Sequence, residues 1–124
     1  VADSFYIVGR DDKSGSRFTG HKRKNLQDII SAVDRSLPVI VMDHQPTNLG
    51  ETERAGVDLQ VSGHTHRGQL FPNHLITRRI YEVDYGYLRK GNLNVIVSSG
   101  YGTWGPPIRV GSVAEIVDIN VEFR

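Results

Sequence analysis

His64 and His66 stand one residue apart in Gly63-His64-Thr65-His66, and His44 lies upstream in Asp43-His44-Gln45-Pro46. Neutral imidazole is the commonest protein ligand for zinc, iron and manganese sites, so this trio points to metal chemistry. In extended backbone, residues i and i+2 project to the same side roughly 6–7 Å apart. That span suits two ligands facing two metals held about 3.5–4 Å from each other. Gly63 is expected to let the backbone leave its strand at an unusual angle, and Pro46 to hold Gln45 extended and end the strand before it. Asp43 is expected to point to the opposite face from His44, in a supporting role. His21 and His74, the remaining two of the five histidines, lack such placement and read as surface residues. A lone His-x-His is weak evidence; its position after an alternating strand and a glycine, with a third histidine at another strand end, is what strengthens it.

The elements that must place these residues follow from local patterning. Phe5-Tyr6-Ile7-Val8 reads as a buried strand stopping at Gly9, and residues 10–20 as a loop. Asn25 and Asp28 mark a helix start, followed by an apolar stripe of Leu26, Ile29, Ile30 and Val33. Val39-Ile40-Val41-Met42 is apolar on both faces, as in a central strand of a covered sheet. Leu49 to Ala55 reads as a short helix closed by Gly56. Val57, Leu59 and Val61 alternate with Asp58, Gln60 and Ser62, predicting a half-buried strand with the apolar set inward. After a loop through Pro72-Asn73, residues 79–87 and 92–99 read as a strand pair turning at Arg89-Lys90-Gly91. A glycine- and proline-rich loop around Trp104 comes next. A last strand then carries Val113, Val117, Ile119, Val121 and Phe123. This order predicts an α/β layered fold with a mixed sheet, in one domain spanning residues 1–124. In such sheets ligands bind beyond the carboxyl ends of the strands, where the three histidines fall.

Composition removes several alternatives. Fifteen Lys plus Arg against fourteen Asp plus Glu leave a net charge of +1, which gives no nucleic-acid signal and no pull toward acidic membranes. The run His21-Lys22-Arg23-Lys24 reads as a solvated helix entrance. The absence of cysteine excludes disulfides, thiolate zinc sites and thiol nucleophiles. No apolar run approaches the ~20 residues of a spanning helix, so the chain as given is expected to be soluble. It begins Val1-Ala2-Asp3 without a Met, which suits a piece of a longer protein.

Asp43-His44-Gln45-Pro46, then Asp58-Leu59-Gln60-Val61-Ser62-Gly63-His64-Thr65-His66-Arg67-Gly68-Gln69, then the stretch from Ser98 through Trp104 to Gly111 together resemble the calcineurin-like metallophosphoesterases. More narrowly, they resemble the bacterial branch whose members often carry N-terminal membrane helices. The likeness runs from about Phe5 to Val121. It implies the C-terminal part of a layered α/β/β/α sandwich, and hydrolysis of phosphomonoesters or phosphodiesters by a two-metal site with manganese, iron or zinc. It implies His44 and His64 as ligands of the second metal and His66 of the first. The attacking group is then a metal-activated water, and no side chain here is assigned as catalytic. The family's three earlier metal motifs, one of which gives the bridging carboxylate, are absent, and Gly9-Arg10-Asp11-Asp12 lacks their spacing. The chain is therefore expected to need the missing N-terminal half of the domain, to bind metal weakly alone and to be inactive alone. A membrane-anchored parent fits the branch.

Arg67 stands where many relatives carry glycine; it would contact phosphate or sit in solvent. Arg109, after Pro106-Pro107, would grip a phosphate bidentately or form a surface ion pair. Trp104 reads as a packing anchor for its loop. Exposed sheet edges and apolar faces left by a missing half would invite dimerisation. Two other functional classes remain open: a self-contained mononuclear zinc hydrolase using all three histidines, and a non-enzymatic binding module.

Overall fold

The computed structural model describes residues 4–15, 18 and 20–122. Its strands are β1 (Tyr6–Gly9), β2 (Val39–Met42), β3 (Leu59–Ser62), β4 (Gly86–Lys90) and β5 (Leu93–Val97). Its helices are α1 (Leu26–Ile30), α2 (Leu49–Arg54) and α3 (His74–Ile80), with a 3-10 turn over His66–Gly68. The five strands form one sheet in the order β1-β2-β3-β5-β4. Neighbours run parallel from β1 to β5, and only β4 pairs antiparallel, with Tyr87 opposite Ile96. The α/β class and the mixed sheet expected from the sequence are both present.

One face of the sheet is covered. Val8 and Val41 pair in register, Val95 follows in the same row beyond β3, and all three are buried with Leu26 and Ile30 of α1 and Leu49 of α2. Asn25 starts α1 as expected, its side chain accepting a hydrogen bond from Gln27 N. The opposite face carries Ile7, Ile40, Met42, Val61 and Ile96, and Ile7 and Met42 are about half exposed, at 49% and 50%. The two-sided apolar pattern of β2 therefore describes a strand with one covered side and one side open.

Several local expectations change. In β3 the inward position belongs to Gln60, which is fully buried between Val41 and Val95; Val61 turns to the open face. The core side of β3 is fixed by register with its neighbours, which the alternation in one strand does not carry. Gln60 Nε2 donates to Ser62 Oγ at 3.0 Å. Residues 74–80, expected in a loop and a strand start, are helical, and β4 begins at Gly86. Gly15 and Phe18 are helical within the expected loop. The last strand does not form over residues 113–122: the segment is irregular and finds no ladder partner. Residues 119–122 instead lie along the open face, lining a groove of about 460 Å³ with Pro38, Leu59, Tyr87 and Ile96. Phe123 lies outside the described residues. Among the described residues, no helix is long and apolar enough to cross a membrane.

Candidate metal centre

The carboxyl ends of β2 and β3 bring two histidines together. His44 Nε2 and His64 Nδ1 are 3.2 Å apart, with ring centroids 5.0 Å apart at 83°. The main chain stitches the two loops: Gly63 N donates to His44 O at 3.0 Å, and Asp43 N donates to Val61 O at 3.2 Å. His66 joins the same cavity but faces elsewhere, its Nδ1 lying 3.5 Å from Arg109 Nη2.

The extended-spacing argument for His64 and His66 does not hold. His64 has φ 68° and His66 φ 48°, so both adopt left-handed backbone instead of a strand. The departure from β3 is made by His64 itself, and Gly63 is not among the positive-φ residues. Arg67 and Gln69 also have positive φ, a conformation in which glycine would be unstrained. Such backbone is held only where its surroundings over-determine it. Here Thr65 Oγ1, which is buried, donates to Asp84 O at 2.6 Å, while Thr77 Oγ1 of α3 donates to Asp84 Oδ2 at 2.6 Å. Asp84 thus ties the histidine turn to α3.

Electrostatics favour the neutral form of the two turn histidines. Burial pushes the His64 imidazole below its usual range; neighbouring His44 adds to that, and Asp12 opposes it. His66 is lowered by burial first and by the Arg109 guanidinium next. Neutral imidazole is the ligand form. Asp12 lies in a stretch without the spacing of the family's metal motifs. The structure brings it into electrostatic reach of His44 and His64, with Ser14 holding its carboxyl below the usual carboxylate range. Gln45 Nε2 donates to Asp12 Oδ1 at 3.4 Å. No sequence signal ties Asp12 to a histidine so far along the chain.

The residues around this centre are placed as follows. Asp43 is buried beneath His44 and takes both Arg10 (3.4 Å) and Arg23, while its Oδ1 accepts from Gln45 N at 3.3 Å. Arg23 is accordingly part of a buried ion pair and departs from the solvated-run reading, which its neighbours Lys22 and Lys24 fit. Arg67 lies over the Tyr85 ring at 4.5 Å. Arg109, expected to grip phosphate or pair at the surface, has Nη2 shared among the carbonyls of Ser99 (3.0 Å), Gly100 (2.9 Å) and Gly102. It clamps the loop that faces His66. Trp104 does not anchor its loop by packing, since it is 77% exposed. Gln69 does so instead: its Oε1 accepts from Trp104 N at 2.6 Å and its Nε2 donates to Trp104 O at 2.7 Å. His21 is exposed and His74 begins α3, with its ring 5.5 Å from Phe71.

The donor set fits part of a metal site. His44 and His64 present nitrogens to a common point, but among the described residues no three His, Cys, Asp or Glu side chains converge as a cage. The three-histidine convergence with an open fourth position, which the mononuclear reading requires, is not formed among the described residues.

Comparison with known proteins agrees with the fold class. The chain is 37% identical over 121 residues to an uncharacterised metallophosphoesterase of Aquifex aeolicus, covering 95% of this chain and 46% of that one. It is 36% identical to a Helicobacter pylori metallophosphoesterase, covering 80% of this chain and 28% of that one. It is 30% identical to a Danio rerio protein named as a transmembrane protein with a metallophosphoesterase domain, covering 94% and 28%. The chain belongs to the calcineurin-like metallophosphoesterase superfamily. It spans less than half the length of these relatives. No family profile and no solved structure matches it.

Proposed function

We propose that this chain is the C-terminal part of a phosphoesterase domain and supplies three histidines to a two-metal site completed by residues of a longer protein. The observation that carries this reading is the approach of His44 Nε2 to His64 Nδ1 across the ends of two parallel strands. His44 and His64 would hold one divalent ion and His66 a second. Divalent metals, when bound, would polarise the phosphoryl group of a phosphomonoester or phosphodiester and acidify a water. The chain's own residues prepare that step. Burial lowers the His64 and His66 pKa values and so favours the neutral ligand form. The Thr65–Asp84–Thr77 bonds fix the turn that carries them. Asp12 adds negative charge beside the histidine pair. Arg109 holds the loop against His66. A partial set without a bridging carboxylate binds metal poorly, so the isolated chain is expected to have negligible turnover. The relatives' lengths leave room for the remaining ligands, and a membrane segment of a parent protein would lie there too.

Metal content and chelator-sensitive hydrolysis of an aryl phosphodiester, measured on this chain and on a longer parent side by side, test the reading. Turnover only in the parent, abolished by His64→Ala, is the expected result. Stoichiometric zinc with turnover in the 124-residue chain would overturn it in favour of a mononuclear hydrolase. Absence of metal binding in both would favour a binding module.

A further inference from the structure

The Arg109 guanidinium meets the Nδ1 edge of His66, with Nη2 and Nδ1 3.5 Å apart. The main chain sets where Arg109 stands: Val110 N donates to Gln69 O at 2.9 Å, and Phe71 N donates to Val110 O at 2.7 Å. Around Nη2 lie three carbonyls, those of Ser99 at 3.0 Å, Gly100 at 2.9 Å and Gly102. Each Nη of a guanidinium carries two protons. The three carbonyls already outnumber them, so Nη2 has no proton left for His66 Nδ1. Nη1 is engaged by Ser112 Oγ at 3.4 Å.

A carbonyl oxygen has two lone pairs and can serve two donors. The Ser99 and Gly102 carbonyls hydrogen-bond the His66 ring as well as the guanidinium. They have no proton to offer, so the ring must supply it. A neutral imidazole carries one N–H, and with that proton on Nδ1 the Nε2 lone pair is bare. The bare nitrogen then serves the cavity that His66 lines with His44 and His64. The other tautomer would set the Nδ1 lone pair against carbonyl oxygens and cap Nε2 with the proton. The guanidinium charge pulls toward that form, but it gives Nδ1 no hydrogen bond, whereas the carbonyls do. We infer that Arg109 is a positioning residue: by gathering the Ser99, Gly100 and Gly102 carbonyls at His66 it fixes the Nδ1–H tautomer and leaves Nε2 as the ligand nitrogen. Metal-binding histidines are commonly oriented through their second ring nitrogen in this way. The use of Nε2 for a metal rests on the two-metal reading above; the tautomer does not.

Long-range proton–nitrogen NMR spectra of the isotope-labelled 124-residue chain, taken at about pH 8 where imidazole is neutral, show which ring nitrogen holds the proton. His66 is expected with Nδ1 protonated and Nε2 bare. In Arg109→Met, with its fold checked by circular dichroism, His66 is expected to become a mixture of tautomers while His64 keeps its wild-type pattern. Zn²⁺ titrated into both is expected to shift the His66 Nε2 signal, with an affinity about tenfold or more weaker in the variant. A wild-type His66 protonated at Nε2 would overturn the proposal, whether or not the variant folds. So would an Arg109→Met chain that keeps the wild-type tautomer. A tautomer that depends on Arg109, with no response of Nε2 to millimolar Zn²⁺, would count against the two-metal reading and leave the role of Arg109 in place. A Zn²⁺ response at Nε2 with a tautomer indifferent to Arg109 would do the reverse.

Discussion

Replacing Asp43 by Ala should remove a large part of the stability of this chain. The Asp43 side chain is 1% exposed, and its two partners Arg10 and Arg23 are 5% and 10% exposed. Arg10 keeps a second acid, Glu51 at 3.1 Å, but Arg23 has its pairing with both Asp43 oxygens removed. Deleting one partner of a buried pair leaves uncompensated charge and costs about 3–5 kcal/mol. Small domains unfold with about 5–15 kcal/mol, so the loss is about a fifth of the total or more. Urea unfolding followed by far-ultraviolet circular dichroism measures it, since Trp104 is too exposed to report on the core. A loss below about 1 kcal/mol, the worth of an exposed pair, would refute the reasoning. Arg10 Nε and Arg23 Nε are also buried without partners, so the cluster is imperfectly satisfied. Replacing all three residues together by Leu or Met should therefore cost far less than Asp43→Ala alone.

Other expectations concern the site. Because folding lowers the His64 and His66 pKa values below the ordinary 6.5, the unfolded chain holds more protons from about 6.5 down to the folded values. Stability should fall on acidification through that window, and the His64→Gln/His66→Gln variant should show a smaller fall in urea midpoint between pH 7.5 and 5.5; an equal fall would contradict it. Gly68 has φ 75°, and an added Cβ would lie 2.3 Å from His74 N. Gly68→Ala should cost more than about 2 kcal/mol, while Gly102→Ala, with nothing within 4 Å, should stay within about 0.5 kcal/mol. Gln69→Ala should release the Trp104 loop, read as faster amide exchange at Trp104 with about 1–3 kcal/mol lost; unchanged exchange would show that Arg109 alone holds the loop.

Strands β1 to β3, and the placing of His44 and His64 just beyond strand ends, were legible because they are written locally. The β2 run, the Asn25 cap and the glycine after α2 each follow from neighbouring residues. What depended on distant partners was less legible. Gln60 lies inward because Val41 and Val95 flank it, and no alternation within β3 could say so. The α3 helix was missed because its residues, from His74 to Ile80, bury nothing and show no core-facing stripe. The tail from Val113 has a strand's alternation, but a strand needs a ladder, and its partner is not among the described residues. Asp12 joined the histidines only through the folding of β1 beside β2.

The run from His64 to Gln69 also fixes where the molecule can be altered. With His64, His66, Arg67, Gly68 and Gln69 all left-handed, the turn works as a gauge of fixed length between β3 and α3. One residue added or removed there would rotate every imidazole away from its neighbour. The loop around Trp104 is held along its path, by Arg109 at the carbonyls of Gly100 and Gly102 and by Gln69 at both backbone groups of Trp104, while the Tyr101 and Trp104 side chains are exposed. Variation therefore belongs in those two side chains and not in the loop's length, which the clamps set as firmly as the histidine gauge.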